Sequence, residues 1–102
     1  MKINVLDYVN RCYTHKDGEV IADIITSCLK RGGCVAISFG GVYAVPSSFV
    51  NSAFISLLDD FTFADIRERV TFVDSTKQIN DLIKTRFDFE VNKRPKIEYC
   101  YA

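Results

Sequence analysis

The chain lacks an excess of charge of either sign, since thirteen Lys and Arg residues balance thirteen Asp and Glu residues. A neutral chain has no overall attraction for nucleic acid or for anionic membranes, so we expect neither as a partner. It also lacks an apolar run near the ~20 residues that a membrane span needs. Its first ten residues, MKINVLDYVN, lack the apolar core of a signal peptide. We therefore expect a soluble, cytoplasmic protein.

Metal and cofactor motifs are also missing. The glycine pairs at 32–33 and 40–41 match neither the phosphate loop nor the dinucleotide fingerprint. None of the cysteines forms a Cys-x-x-Cys pair, so we expect reduced structural thiols and neither a zinc site nor a redox pair. The four cysteines are Cys12, Cys28, Cys34 and Cys100. The sequence therefore predicts neither metal nor cofactor.

The residues for nucleophilic catalysis are scarce. His15 is the single histidine, and the serines at 47 and 48 lie in PSSF rather than in a Gly-x-Ser-x-Gly elbow. We therefore predict no catalytic residue and no enzyme. One enzymatic alternative stays open, in which Ser48, His15 and a carboxylate act together on a small ligand. It requires His15 to lie within hydrogen-bond reach of Ser48.

The residues that are present indicate one globular domain over 1–102, since 48% are hydrophobic and only two are proline. Apolar runs predict strands at KINV, CVAISF and RVTFVD, separated by segments of helical periodicity. KIEYCYA, at 96–102, is a candidate last strand, and NKRPK, at 92–96, is a solvated turn before it. Alternation of strands and helices favours an α/β fold with a small, mostly parallel sheet and about three to four helices.

Three helices have recognisable first turns. Thr14 is the candidate N-cap of the first helix, with Asp17 in its first turn, and two glycines end that helix. Gly18 lies inside its first turns and costs about 1 kcal/mol relative to alanine, so a helix start after Gly18 is the alternative. In the third helix, Ser75 and Gln78 match a capping box.

The second helix is expected within YAVPSSFVNSAFISLLDDF, at 43–61. Ser47 is its predicted cap, which leaves Ser48 in the first turn with its hydroxyl near the surface. Phe49 and Ile55 lie off the apolar stripe, and two interpretations remain for them: core contacts at its flanks or partner-facing surface. The stripe itself consists of Val50, Ala53, Phe54, Leu57, Leu58 and Phe61.

Two segments together resemble the STAS domain, the fold of bacterial anti-sigma factor antagonists, and most closely the STAS-like family labelled as a domain of unknown function. They are CVAISFGGVYAVPSSFVNSAFISLLDDF and RVTFVDSTKQINDLIKTRFDF. The resemblance covers about residues 14–88 and leaves 89–102 as a tail or terminal strand.

The resemblance implies a binding module without catalysis. Antagonists of this type carry Asp-Ser-Ser-Gly after the strand, and a partner kinase phosphorylates the second serine. By position Ser47 is the first serine and Ser48 the phosphorylatable one, while Pro46 and Phe49 replace the acid and the glycine. The implied partner is a histidine-kinase-like ATPase or an anti-sigma-type kinase.

These observations predict that a partner docks on the 40–49 loop and on the exposed face of the helix over 48–60. The predicted contact residues are Gly40, Gly41, Pro46, Phe49, Asn51 and Ser52, with Ser47 and Ser48 as the phosphorylation switch. The alternative is a self-associating structural or interaction protein of phage or mobile-element origin, which forms a homo-oligomer and has no phosphorylation switch.

Overall fold

The structure is a computed structural model that describes residues 1–93. The three strands are β1 (Lys2–Asn4), β2 (Val35–Ser38) and β3 (Val70–Val73). The four α-helices are α1 (His15–Lys30), α2 (Ser47–Ala53), α3 (Phe63–Arg69) and α4 (Lys77–Lys93). Two 3₁₀ helices, Val5–Asp7 and Ile55–Asp59, lie after β1 and after α2.

The strands form a parallel sheet in the order β1-β2-β3. This arrangement confirms the predicted α/β fold with a small parallel sheet and three to four helices. Ile3, Ile37 and Phe72 are aligned across the sheet and pack into the core. The central strand is almost wholly buried, as its apolar run predicts. Both edge strands expose side chains on the opposite face, including Lys2 and Thr71.

Four phenylalanines fill the core between the sheet and α2. The Phe54 ring lies 6.1 Å from Phe39, 6.1 Å from Phe49 and 5.1 Å from Phe72, between ring centroids. All three pairs are edge-to-face, a geometry that adds about 0.5–1.5 kcal/mol per pair beyond the burial of apolar area. This cluster fixes α2 against β2 and β3.

The first helix begins and ends as predicted. The Thr14 hydroxyl accepts from the Asp17 amide at 3.1 Å, and the Asp17 carboxylate accepts from the Thr14 amide at 3.1 Å. These two bonds form a complete capping box. The helix ends at Lys30, and Gly32 then takes a positive φ of 81° that favours glycine.

Gly18 lets α1 approach α2 closely. A Cβ atom at this position would lie 1.8 Å from the Ser52 hydroxyl oxygen, 2.7 Å from the Phe49 carbonyl oxygen and 2.9 Å from the Ala53 nitrogen. No side chain fits in that space. The glycine is therefore a helix-contact residue, and the sequence presents it only as a poor helix former.

The single helix expected within 43–61 is divided. α2 ends at Ala53, and the chain continues as the second 3₁₀ helix and then as α3. The Ser56 hydroxyl donates to the Ser52 carbonyl at 2.7 Å, and the Ser52 hydroxyl donates to the Ser48 carbonyl at 3.1 Å. Such side-chain bonds compete with the helical backbone and bend helices, which accounts for the early end of α2.

The predicted capping box at α4 is wrong. The Thr76 hydroxyl, and not that of Ser75, accepts from the Ile79 amide at 3.3 Å. Gln78 does not reach back to the helix start, because its side-chain amide binds the main chain of Val45.

The carboxyl-terminal predictions fall partly within α4. Asn92 and Lys93 are helical, so the predicted turn over 92–96 is wrong at its first two residues. The rest of that turn and the predicted strand over 96–102 lie outside the described residues. Within residues 1–93, no helix combines the length and the apolar character that crossing a membrane requires.

Candidate functional site

The loop of residues 39–46 follows β2 at the carboxyl edge of the sheet, where folds with parallel strands commonly place their binding sites. Gly40, Gly41 and Pro46 are exposed there, together with Tyr43. The structure therefore brings these three predicted contact residues to one surface. Their role in binding stays a prediction.

The start of this loop is fixed to the end of β3. Ser38 is 2% exposed; its hydroxyl donates to the Asp74 carboxylate at 2.7 Å and accepts from the Gly40 amide at 3.2 Å. Asp74 has a φ of 51°, a conformation that aspartate tolerates better than most residues. Lys2 Nζ lies 3.9 Å from the same carboxylate, but both side chains are more than half exposed, so this ion pair contributes little.

Two side chains at the start of α4 hold the remainder of the loop. The Thr76 hydroxyl donates to the Tyr43 carbonyl at 2.8 Å. The Gln78 amide accepts from the Val45 N–H at 3.2 Å and donates to the Val45 carbonyl at 3.3 Å. Gln78 thus pairs with the loop as a neighbouring strand would. Sequence reasoning missed this role because the partners lie 33 positions apart and the local pattern suggests a cap.

The loop segment itself carries no charged residue, although the exposed pair of Lys2 and Asp74 lies beside its start. Residues 32–58 contain no Lys, Arg, His, Asp or Glu. Tyr43 is 81% exposed. Leu6, 40% exposed, lies beside the loop, since its Cδ1 is 3.1 Å from the place a Gly41 Cβ would take. An exposed aromatic ring and an exposed leucine thus border a segment without charge.

The two serines do not act as predicted at the start of α2. Pro46 occupies the N-cap position and no side chain caps the helix, so the assignment of Ser47 as the cap is wrong. Ser47 is instead the first helical residue. Both serines are exposed, and the Ser48 hydroxyl donates to the Tyr13 carbonyl across a long 3.5 Å.

Two predicted contact residues are buried, and a third is partly buried with its side chain held by a neighbouring helix. Phe49 is fully buried and Ser52 is 4% exposed, because α2 packs between α1 and α4. Asn51 is half-buried, and its amide oxygen accepts from Arg86 Nε on α4 at 2.8 Å. The expectation that α2 presents a free face with these residues is wrong. Ile55 is also buried, which agrees with its core interpretation.

The contact that the enzymatic alternative requires is not made. His15 Nε2 lies 3.9 Å from the Glu19 carboxylate, and the Ser48 hydroxyl donates to the Tyr13 carbonyl. Across residues 1–93, no hydrogen bond joins His15 to Ser48.

Two side chains with shifted pKa values, Cys12 and Asp17, lie on the segment next to Ser48. Burial raises the pKa of the Cys12 thiol to about 11, and the nearby charge of Asp17 acts in the same direction. Slight burial acts to raise the pKa of Asp17, but hydrogen bonds from Thr14 and Tyr13 and the charge of Arg11 lower that pKa overall. Cys12 is therefore a protonated, unreactive thiol at neutral pH.

The fold and the site together define a class: a small α/β domain of the STAS-like type, with a parallel sheet and an exposed strand-to-helix loop followed by two serines. The family model described as a STAS-like domain of unknown function matches residues 17–80, more than half of the chain. The chain belongs to this family, which confirms the resemblance. No curated protein and no solved structure gives a match.

Proposed function

We propose that the chain is a non-catalytic regulatory module that docks a protein partner at the carboxyl edge of its sheet. The docking site, here called the loop surface, is formed by Gly40, Gly41, Tyr43, Pro46, Ser47 and Ser48. Phe49 and Ser52 are left out of it because they are buried, and Asn51 because its side chain is bound to Arg86. The support from the family is general, since STAS-like domains include regulators that act by binding proteins.

The observation that carries the proposal is the anchoring of an exposed loop. Ser38, Thr76 and Gln78 bind the loop main chain at Gly40, Tyr43 and Val45. A loop already held in one conformation loses little conformational entropy when a partner binds. The anchoring thus suits a preformed docking surface.

The proposed regulation is phosphorylation of Ser48. Its hydroxyl is exposed, and a phosphate would bring nearly two negative charges to a segment that has none. It would also remove the hydroxyl proton that faces the Tyr13 carbonyl, so the two oxygens would repel each other. A partner that docks on this uncharged segment would then be released. We propose a histidine-kinase-like ATPase or an anti-sigma-type kinase as that partner.

The test is purification of the tagged full chain from its native host, followed by intact-mass measurement and mapping of any modification. We expect a kinase-like ATPase and a mass increase of one phosphate, ~80 Da, at Ser48. The purified partner is then titrated against the wild type, Ser48→Asp and the matched control Ser27→Asp, which makes the same change at an exposed serine of α1 outside the loop surface. Ser48→Asp should bind at least about tenfold more weakly, and Ser27→Asp should bind like the wild type.

A different result would favour self-association. An unmodified chain that elutes as a homo-oligomer, with no change in assembly on substitution of Ser48, contradicts the proposal. It would support an interaction protein without a phosphorylation switch.

A further inference from the structure

The turn between α1 and β2 brings two cysteines together. Cys28 lies in the last turn of α1, and Cys34 directly precedes β2. The Cys28 thiol donates to the main-chain carbonyl of Cys34, with 3.6 Å between sulfur and oxygen. Cysteines six positions apart match no short redox motif, so the sequence alone predicts reduced thiols here.

The distance between the two residues suits a disulfide. A carbonyl oxygen lies about 2.4 Å from its own Cα, so the Cys28 sulfur is at most about 6 Å from the Cys34 Cα. A disulfide places each sulfur about 4 Å from the Cα of its partner. Closing the bond therefore requires a shift of at most about 2 Å, which side-chain rotation can supply.

The main chain of this turn is held from both sides. The Gly33 amide donates to the Cys28 carbonyl at 3.1 Å, and Gly32 takes the positive φ that ends the helix. Arg69, at the end of α3, donates from Nε to the Gly33 carbonyl at 3.1 Å, and its guanidinium also binds the Leu29 carbonyl. These bonds keep the two cysteines close in the reduced protein.

The two thiols differ in their access to solvent. Cys34 is exposed and lies in the wall of an open cleft of about 180 Å³, whereas Cys28 is 4% exposed. A cleft of this size admits molecules as small as water or a peroxide. A dissolved oxidant therefore meets Cys34 first, and the buried thiol beside it can react with the oxidised product.

We propose that Cys34 is a site of reversible oxidation by a hydroperoxide and that Cys28 converts the product to a disulfide. With hydrogen peroxide, the Cys34 sulfur attacks one peroxide oxygen, the O–O bond breaks, and a sulfenic acid and one water form. The Cys28 sulfur then attacks the sulfenic sulfur, the S–O bond breaks, and the hydroxyl group leaves as water with the thiol proton. The two thiols together lose two electrons and two protons, and the peroxide becomes two waters. This inference is independent of the proposed function.

The test treats the reduced, purified full chain with hydrogen peroxide and then measures its intact mass and maps its peptides without reductant. We expect the loss of two hydrogen atoms, about 2 Da, in a Cys28–Cys34 disulfide that dithiothreitol reverses. The Cys34 thiol should disappear at least about tenfold faster than the Cys12 thiol, which is buried.

Three variants separate the two roles. Cys28→Ser should leave Cys34 as a sulfenic acid that dimedone labels, whereas the wild type should accumulate little label. Cys34→Ser should form no disulfide at Cys28. The matched control Cys12→Ala should oxidise like the wild type. Melting temperatures check that each variant folds, and peptide mapping of the wild type decides the pairing even where a variant does not.

Other outcomes overturn the proposal. Conversion of Cys34 to sulfinic or sulfonic acid without a disulfide would show that Cys28 does not act on it. A disulfide from Cys34 to Cys100, which lies outside the described residues, or to a second chain would show that the pairing is wrong. Oxidation of Cys34 no faster than that of Cys12 would remove Cys34 as the site.

Discussion

Replacing Gly18 by alanine should destabilise the protein, although alanine is the better helix residue. The new Cβ would lie 1.8 Å from the Ser52 hydroxyl oxygen, 2.7 Å from the Phe49 carbonyl oxygen and 2.9 Å from the Ala53 nitrogen. The hydroxyl can rotate away, but the two main-chain atoms cannot. α1 and α2 must therefore move apart.

The two opposing effects can be compared in magnitude. Alanine gains about 1 kcal/mol over glycine in helix propensity. Overpacking a well-packed interface loses about 1–3 kcal/mol and sometimes more, and contacts with main-chain atoms belong at the upper end. We expect a net loss of about 1–2 kcal/mol, which lowers the melting temperature by roughly 4–16 °C for a domain of this size.

The assay is urea and thermal unfolding of the wild type, Gly18→Ala and Ser27→Ala. Ser27 is exposed on the same helix, so its substitution should be neutral or stabilise by up to about 0.5 kcal/mol. Adding Ser52→Ala to Gly18→Ala should restore only part of the loss, since the main-chain contacts remain. A Gly18→Ala protein as stable as the wild type would show that α1 and α2 are not so close.

Two further substitutions and one labelling experiment test other parts of the structure. Gln78→Ala should lower the free energy of unfolding by about 0.5–1.5 kcal/mol, because it removes two part-buried hydrogen bonds to the Val45 main chain, whereas the exposed Lys84→Ala control should change it little in urea titrations. Asp17→Asn should reduce the urea midpoint at pH 7, and its difference from the wild type should shrink as pH falls below ~4, because a carboxyl with a lowered folded-state pKa loses its contribution on protonation. A constant difference from pH 7 to pH 3 would contradict this reasoning. In an iodoacetamide pulse at pH 8, peptide mapping should show the exposed Cys34 alkylated and the buried Cys12 protected, because burial raises the pKa of the Cys12 thiol and keeps it protonated. Equal labelling of the two cysteines would contradict the burial of Cys12.

Much of the fold could be predicted from local patterns. The apolar runs and the helical periodicity give β2, β3, α1 and α4, and their alternation gives the parallel sheet. The Thr14 capping box is correct because all of its atoms lie within four residues of one another. Where one short segment contains both partners, the sequence is sufficient.

The position of the candidate site could be predicted from the sequence, but the residues that form it could not. The junction after β2 and its glycines mark the place, since the carboxyl ends of parallel strands meet at one edge. Thr76 and Gln78, which hold the loop, could not be found, because their partners lie 33 positions away, and the Asp74 carboxylate that binds the Ser38 hydroxyl lies 36 positions away. The predicted exposure of Phe49 is wrong, because the pattern of one helix does not show how many neighbours enclose it.

The sequence by itself thus determined the class of fold, the order of its elements and the edge of the sheet at which a site lies. These features follow from the hydrophobic periodicity, the turn residues and the direction of the strands. The tertiary structure alone decided which side chains that edge presents. Packing of α2 between α1 and α4 buried Phe49 and Ser52, two of the residues expected to bind. Close approach at Gly18 set the helix spacing, and hydrogen bonds from the start of α4 fixed the loop that displays Tyr43. Each of these depends on contacts between distant segments, which no local pattern contains.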